Sequence, residues 1–376
     1  GRVLARDLEA TVDVPAYDVS AMDGYAVGAR VEKGQRLTVG GMIAAGDRPG
    51  LDLPAATAYR IMTGAPVPTS TSAIVPIEQT NGGLEKVEFS SSSSEGQHIR
   101  RGGEIVRAGE PLLSAGHLLT PGAQSLLATH GFSEIAVHRQ PSVATLSTGN
   151  EVVPPDHKPE PGQLRDSHTA FLTSAGRGLG LSFEPLGIAR DTPEDLLAFL
   201  ERGIQHDVLL VSGGVSMGAF DFVEPALEKL GCRTLIDAVA VQPGKPLVVA
   251  RHSQGWVIGL PGNPASVMVS FWLFVRPLLR ALQGLPDGFW QGALRGILGV
   301  GLPAGKDRDR FLAAEVETRE GHILVRPFLP RGSHDIVAFA HGRALVRIRP
   351  GAREAVPGEP CEILPLSDWP LPDTEP

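Results

Sequence analysis

Three loops of the chain combine glycine with hydroxyl or amide side chains, each directly after a short apolar run. They are Ser147-Thr148-Gly149-Asn150-Glu151, Ser212-Gly213-Gly214-Val215-Ser216 and Gly259-Leu260-Pro261-Gly262-Asn263-Pro264. If each run is a strand of one parallel sheet, the loops converge on one crevice at the strand ends. Free backbone N–H groups and helix N-termini favour anions there, so a pocket for a phosphorylated ligand is expected. A glycine in any single loop is explained equally well by a tight turn. Three such loops at matching strand ends favour the pocket.

The acidic candidates are Asp23, in Ser20-Ala21-Met22-Asp23-Gly24-Tyr25-Ala26, together with Glu151, Asp191 and Asp221. A lone carboxylate beside glycine usually forms a turn or caps a helix, and Asp221, at a predicted helix start, is read first as a cap. Glu151 is harder to explain that way, because it lies at a strand end in the expected crevice. Hard oxygen ligands beside a phosphate site would suit Mg²⁺. Lys245, in Pro243-Gly244-Lys245-Pro246, has a backbone held by prolines and could offer a preset point charge to an oxyanion. It reads equally well as a solvated surface lysine. Arg308 and Arg310, in Lys306-Asp307-Arg308-Asp309-Arg310, read by themselves as a solvated charge run.

These loops need a scaffold, and the chain supplies alternating elements. Between 141 and 285, the apolar runs 143–146, 208–211 and 256–258 suit buried parallel strands. Segments 166–180, 192–204, 221–230 and 264–282 alternate with them as helix candidates. A doubly wound α/β domain is predicted. Before it, runs 37–39, 58–62, 73–77 and 87–89 are broken by Gly and Pro and suggest a β-rich module. The serine tract 90–94 is expected to be a mobile surface loop. From 111 to 131 the pattern turns helical, with Pro121 in a first turn and Gly131 as a stop. Past 286, pieces 311–316, 323–327 and 344–348 suggest a small C-terminal β-barrel.

Composition narrows the function classes. At 376 residues the chain is long enough for two to three domains, and a hydrophobic share of 42% with 20% charged is that of an ordinary globular protein. The 45 Gly and 32 Pro imply many turns. A net charge of −8 argues against a general nucleic-acid binder. The two cysteines, Cys232 and Cys361, cannot build a disulfide framework or a thiolate zinc site, and their scarcity fits a reducing cytoplasm. The most apolar stretch, 267–275, is short of the roughly 20 residues that cross a bilayer, so no membrane span is expected. No GxxxxGK[ST] loop, HExxH, CxxC pair or GxSxG elbow occurs, which removes the usual support for those chemistries.

The motifs SAMDGYAV at 20–27, IMTGAPVP at 61–68, STGNEV at 147–152, SGGVSMGAFD at 212–221, PGKP at 243–246 and GLPGNPASV at 259–267 together resemble the MoeA family. These are the molybdopterin molybdenumtransferases of molybdenum-cofactor biosynthesis, related to the E domain of gephyrin. The resemblance implies four parts. They are a split, mostly helical arm (1–35 and 110–140), a β-rich module (36–109), a MogA-like α/β domain (141–285) and a C-terminal β-barrel domain (286–376). The chain opens at Gly1 without a Met, which suggests an incomplete first helix of the arm. A homodimer is implied, with Asp23 and Thr63 acting across the interface.

In that family adenylylated molybdopterin and molybdate, with Mg²⁺, yield molybdenum cofactor and AMP. By resemblance Asp23, Thr63, Glu151 and Asp221 are catalytic, and Glu151, Asp191 and Asp221 hold the metal. Ser147, Thr148, Gly149, Ser212, Gly213, Gly214 and Ser216 cradle the pterin nucleotide. Lys245, Pro261, Pro264 and Ser266 surround molybdate, joined by Arg308 and Ser333 of the C-terminal domain. A MogA-like adenylyltransferase and molybdoenzymes are the implied partners.

Three departures from the family pattern stand out. Gln242 replaces the first lysine of the usual KPGKP, Ile105 replaces the acid of GEDI, and Thr71-Ser72-Ala73 lacks the Asp of GADAVV. A MogA-like adenylyltransferase and a non-catalytic pterin-binding scaffold are the alternative readings.

Overall fold

The computed structural model describes residues 1–214, 222–285, 288–319 and 321–366. The chain divides into two compact units, Leu4–Val137 and a larger one formed by Gly1–Val3 with His138–Pro376.

In the smaller unit, strands β1 (Gly24–Val27), β2 (Arg36–Ile43), β3 (Thr57–Ile61), β4 (Ala73–Pro76) and β5 (Lys86–Glu88) form one sheet in the order β4-β1-β3-β2-β5. β1 is buried along its whole length. Tyr25 and Val27 pack with Val75 and Phe89 on one face, and Ala26 packs with Ile61 and Ile74 on the other. Alternation thus sends successive side chains of one strand into two cores. The closeness of β4 requires glycine at the start of β1, because a Cβ on Gly24 would lie 2.1 Å from the Val75 carbonyl oxygen.

The serine tract is fastened rather than mobile. Ser93 is buried and its Oγ accepts from the Val31 N–H at 3.1 Å, while the Ser91 hydroxyl bonds Gln79 Oε1 at 2.6 Å. These serine hydroxyls tie the tract to distant parts of the unit, one through a backbone N–H and one through a side-chain amide, which its low complexity conceals. Among the described residues, the mostly helical arm expected at 1–35 and 110–140 holds one helix, α1 (Pro121–Thr129), whereas 1–35 contains only short strands, one of which, β1, belongs to the five-stranded sheet. Thr120 caps α1 by accepting from the Ala123 N–H at 3.2 Å. The helical pattern expected from 111 does not begin there, because Pro111–Leu113 pairs antiparallel with Leu8–Glu9 as a short strand.

The larger unit is built on β6 (Val143–Thr148), α2 (His168–Gly178), β7 (Phe183–Ala189), α3 (Pro193–Gly203), β8 (Val208–Ser212), α4 (Val223–Lys229), β9 (Arg233–Ile236), β10 (Val248–Arg251) and β11 (Trp256–Leu260). A helical run, Pro264–Leu282, follows. The sheet order is β7-β6-β8-β11-β10-β9. The first four strands are parallel, whereas β10 and β9 are antiparallel additions at one edge. β6 and β8 are buried throughout, as strands covered on both faces must be. Leu196, Leu200 and Leu227 of α3 and α4 pack on one face, and Leu172, Val267, Phe271, Val275 and Leu279 on the other. Strand order reverses between β6 and β8, the switch point where ligands of open α/β sheets bind.

The run Pro264–Leu282 is longer than the apolar stretch alone indicates. Its 19 residues have mean hydropathy 1.4, enough by length and composition to cross a membrane, but half of it is buried inside the protein. Val267, Phe271, Val275 and Leu279 recur every fourth residue on the core face, which is the pattern of a core helix.

Strands β12 (Leu294–Leu298), β13 (Asp309–Arg319), β14 (His322–Pro327), β15 (Ala344–Ile348) and β16 (Pro360–Pro365) close into a five-stranded barrel. Pairing runs β13-β14-β12-β16-β15 and returns to β13. Leu312, Ala314, Val316, Val325, Val346 and Ile363 fill it. A short strand of the α/β domain, Val241–Gln242, pairs in parallel with β13 through Val241↔Asp309 and Gln242↔Arg310.

One ionic clasp secures the start of the sheet. Asp207 accepts from Arg139 Nη2 at 2.6 Å and from the Ser142 N–H at 2.8 Å. The Arg139 bond, followed by those from Ser142, holds the Asp207 carboxyl well below the usual carboxylate range. Arg139 is 74% exposed, so the ion pair itself is screened. Asp207→Asn should destabilise the unit by about 1–2 kcal/mol at neutral pH. Because folding lowers this pKa, the stabilisation is whole above about pH 4 and is lost as the pH falls through the folded value. Urea unfolding of both proteins from pH 7 downward should show the difference shrinking below pH 4. A difference that grows in acid would contradict the assignment.

Candidate active site: two adjoining clefts

The carboxyl ends of β6, β8 and β11 open on a cleft of about 670 Å³. Its lining includes Ser147, Thr148, Gly149, Glu151, Asp191, Ser212, Gly213, Gly214 and Pro264, all named from the sequence. Ser147 Oγ lies 3.2 Å from Ser212 Oγ and 3.1 Å from Thr169 Oγ1, so these hydroxyls tie the two strand ends together. Gly213 has φ +93°, and a Cβ there would stand 2.8 Å from the Thr148 carbonyl oxygen. The glycine is needed both for its turn and for the close approach of the strand ends. Thr148 Oγ1 is buried without a partner among the described residues, a polar atom that a bound ligand would satisfy.

The carboxylates of this cleft differ in what already engages them. Asp166 accepts from the His168 and Thr169 N–H groups at 3.0 and 3.1 Å and so caps α2. Asp191 accepts from the Asn150 N–H at 3.3 Å, and Asn150 Oδ1 accepts from the Asp191 N–H at the same distance. The Glu151 carboxylate is exposed and makes no hydrogen bond among the described residues. Burial pushes the His168 imidazole below its ordinary pKa, against the opposing pull of Asp166. Among the described residues no group of three His, Cys, Asp or Glu side chains could hold a metal. Glu151 and Asp191 share the cleft, and two carboxylates completed by substrate phosphates are a usual Mg²⁺ donor set. Asp221 and Ser216 lie outside the described residues.

A second cleft of about 500 Å³ lies between the α/β domain and the barrel. It gathers Lys245, Ser266, Arg308 and Ser333, which are far apart in sequence. Arg310 and Arg331 also line it, and no Asp, Glu or His does. Four basic side chains and no acid in the lining give this cleft a basic wall, in a chain of net charge −8. Arg308 is 34% exposed and pairs with Asp307, Nε–Oδ2 at 3.4 Å. The expectation of a solvated charge run therefore fails. β13 is paired to Val241–Gln242, and this pairing turns the two arginines into a cleft wall. The intervening Asp309 is engaged by Arg347, with Nε–Oδ1 at 2.7 Å and Nη2–Oδ2 at 2.9 Å. Ser266 is 4% exposed, and the Ser333 carbonyl accepts from the Ala265 N–H at 3.1 Å.

The clefts adjoin. Asn263 lines both, and the segment after Pro330 gives Arg331, Gly332 and Ser333 to the basic cleft and His334 and Ile336 to the other. Pro261 is buried and lines neither.

In the smaller unit Asp23 and Thr63 meet. Thr63 donates its N–H and its hydroxyl to Asp23 Oδ1, each at 2.7 Å. These bonds, with Arg60 nearby, hold the Asp23 carboxyl below its ordinary range. It is a fully exposed, charged acceptor beside a hydroxyl.

Three family models match the chain in succession. Residues 1–131 match the MoeA N-terminal region (domain I and II), 144–281 a "Probable molybdopterin binding domain" and 295–366 the MoeA C-terminal region (domain IV). Molybdopterin molybdenumtransferase 2 of Mycobacterium tuberculosis is 35% identical over 98% of this chain and 93% of its own length. The chain belongs to the MoeA family. The molybdopterin molybdenumtransferase of Synechococcus elongatus is 41% identical over 75% of this chain and 73% of its own. The molybdopterin biosynthesis MoeA protein of Pyrococcus horikosii superposes with a TM-score of 0.80 at 30% identity, covering 98% of this chain and 92% of that one.

MoeA motifs thus account for most of the glycine-loop cleft, and the basic cleft contains residues that the motifs do not name. Sequence reasoning missed Asn263 as the shared wall, His168 and His334, Arg331, and the cleft position of Arg310. The tripeptide Arg331-Gly332-Ser333 offered a signal for Arg331, since Ser333 was already singled out.

Proposed function

We propose that this protein inserts molybdenum from molybdate into adenylylated molybdopterin and releases AMP. As a MoeA-family molybdopterin molybdenumtransferase it acts in molybdenum-cofactor biosynthesis. The observation that carries the finer reading is the junction at Asn263 of a cleft with glycine loops and carboxylates and a cleft with only basic charge. The adenylylated pterin, with its pyrophosphate, lies along Thr148, Gly149, Gly213 and Gly214. The tetrahedral dianion sits against Lys245, Arg308, Ser266 and Ser333. Glu151 and Asp191, with Asp221, would hold a divalent cation, which supplies positive charge to the pyrophosphate.

Exchange of oxo ligands for dithiolene sulfurs and cleavage of the pyrophosphate by water both need neutralised charge and fixed positions rather than a covalent nucleophile. The basic cleft holds the departing oxygens, and the glycine loops orient the phosphates. In a homodimer, Asp23 and Thr63 of the partner subunit complete each site.

The test is molybdate-dependent release of AMP from adenylylated molybdopterin. The wild-type protein should release it, Asp23→Ala and Glu151→Ala proteins should release it at least tenfold more slowly, and a mixture after subunit exchange should regain activity. Some heterodimers then contain one site with neither lesion. A wild-type protein that releases no AMP would end the reading. Active wild type without rescue would put both residues in one protomer's site.

A further inference from the structure

The basic cleft holds two arginines, Arg310 and Arg331, that none of the sequence motifs includes. Register explains one of them. Gln242 pairs directly with Arg310, so the barrel brings a guanidinium beside the neutral residue next to Lys245. The other is set by a local turn. Asp335 accepts from the Arg331 N–H at 3.2 Å through one oxygen and from the Val337 N–H at 3.2 Å through the other. These bonds fix the segment that carries Arg331, Gly332 and Ser333 into the cleft. Arg310 forms no ion pair among the described residues, because Asp309 beside it is taken by Arg347, and Arg331 has the Asp335 carboxylate in its neighbourhood, where that carboxylate is also engaged by backbone N–H groups.

We propose that Arg310 and Arg331 bind the oxyanion of this cleft, and that Arg310 supplies from the barrel the charge that Gln242 lacks. This inference rests on the reading of the basic cleft given above. A guanidinium presents a planar fork of N–H donors that spans two oxygens of a tetrahedral anion, which a lysine ammonium cannot do. Recognition here is therefore shared by one lysine and three arginines, with the serines completing the shell. Moving charge from position 242 to Arg310 keeps the cleft positive while changing which domain provides it.

The experiment is calorimetric titration of molybdate into the full chain at low and at moderate salt. Arg310→Gln and Arg331→Gln should each weaken binding tenfold or more, with the larger effect at low salt. Gln242→Lys alone should change little, because Arg310 already occupies its surroundings. Placed in the Arg310→Gln protein, the same lysine should restore most of the affinity, a rescue that a structural role for Arg310 would not give. Arg310→Lys, with thermal unfolding as a check, separates lost charge from lost folding. If both glutamine variants bind as wild type does while Lys245→Gln loses binding, the two arginines are excluded and the proposed function stands. Failure of the rescue would overturn the charge exchange. Absence of molybdate binding by the wild-type protein would remove both the inference and the reading beneath it.

Discussion

Glu151→Ala should lower AMP release by tenfold or more, about 1.4 kcal/mol of transition-state stabilisation, and leave stability within about 0.5 kcal/mol. The two halves of this expectation have separate causes. Among the carboxylates of the glycine-loop cleft, Asp166 caps a helix and Asp191 is clasped to Asn150, so their loss would disturb the fold. Glu151 is exposed and free of such bonds among the described residues, and a Cβ added to Gly149 would lie 2.8 Å from its Oε2. The carboxylate is held over the loop that faces the ligand, and it holds no protein group in place. Thermal unfolding and single-turnover AMP release on the same preparation decide the matter. A variant that melts early yet turns over normally in the cold would make Glu151 a structural carboxylate.

Gly24→Ala should unfold the Leu4–Val137 unit or destabilise it by more than about 4 kcal/mol, the range reserved for a named steric or burial failure. The new methyl would meet the Val75 carbonyl oxygen at 2.1 Å and its carbon at 2.8 Å. Those are backbone atoms of the neighbouring strand, which cannot turn aside as a side chain can. Relief requires β1 and β4 to separate, and Tyr25, Ala26 and Val27 would then leave both cores. Asp23, the residue before β1, would lose its seat beside Thr63 as well. Urea unfolding followed by fluorescence and circular dichroism measures this directly. An unchanged midpoint would show that the strands have slack that the packing does not display.

The contrast between those two residues shows what was legible in the sequence. β6, β8 and β11 announce themselves as apolar runs, because a strand covered on both faces has little choice of residue, and the loops after them follow. β10 lies on an apolar run of its own, Leu247-Val248-Val249-Ala250, that the sequence reading passes over, whereas β9 gives no such signal, being the edge strand and exposed along its length. Thr63 and Asp23 could be named by resemblance, but their shared hydrogen bonds depend on β1 and β3 pairing across the sheet. Arg310 was read as solvated because a charge run looks the same whether or not another strand lies beside it. The serine tract erred in the opposite direction, since low complexity says nothing of the backbone groups that its hydroxyls meet.

The pairing of Val241–Gln242 with β13 also sets which parts of the chain each cleft is made from. The glycine-loop cleft needs mainly the α/β sheet, whose strand ends and turns belong to one contiguous stretch of chain. The basic cleft needs the barrel closed and docked, because Arg308, Arg310, Arg331 and Ser333 arrive with it. The two clefts therefore differ in what they depend on: loss of the barrel would leave most of the glycine-loop lining in place and would strip three of the four basic side chains from the second cleft.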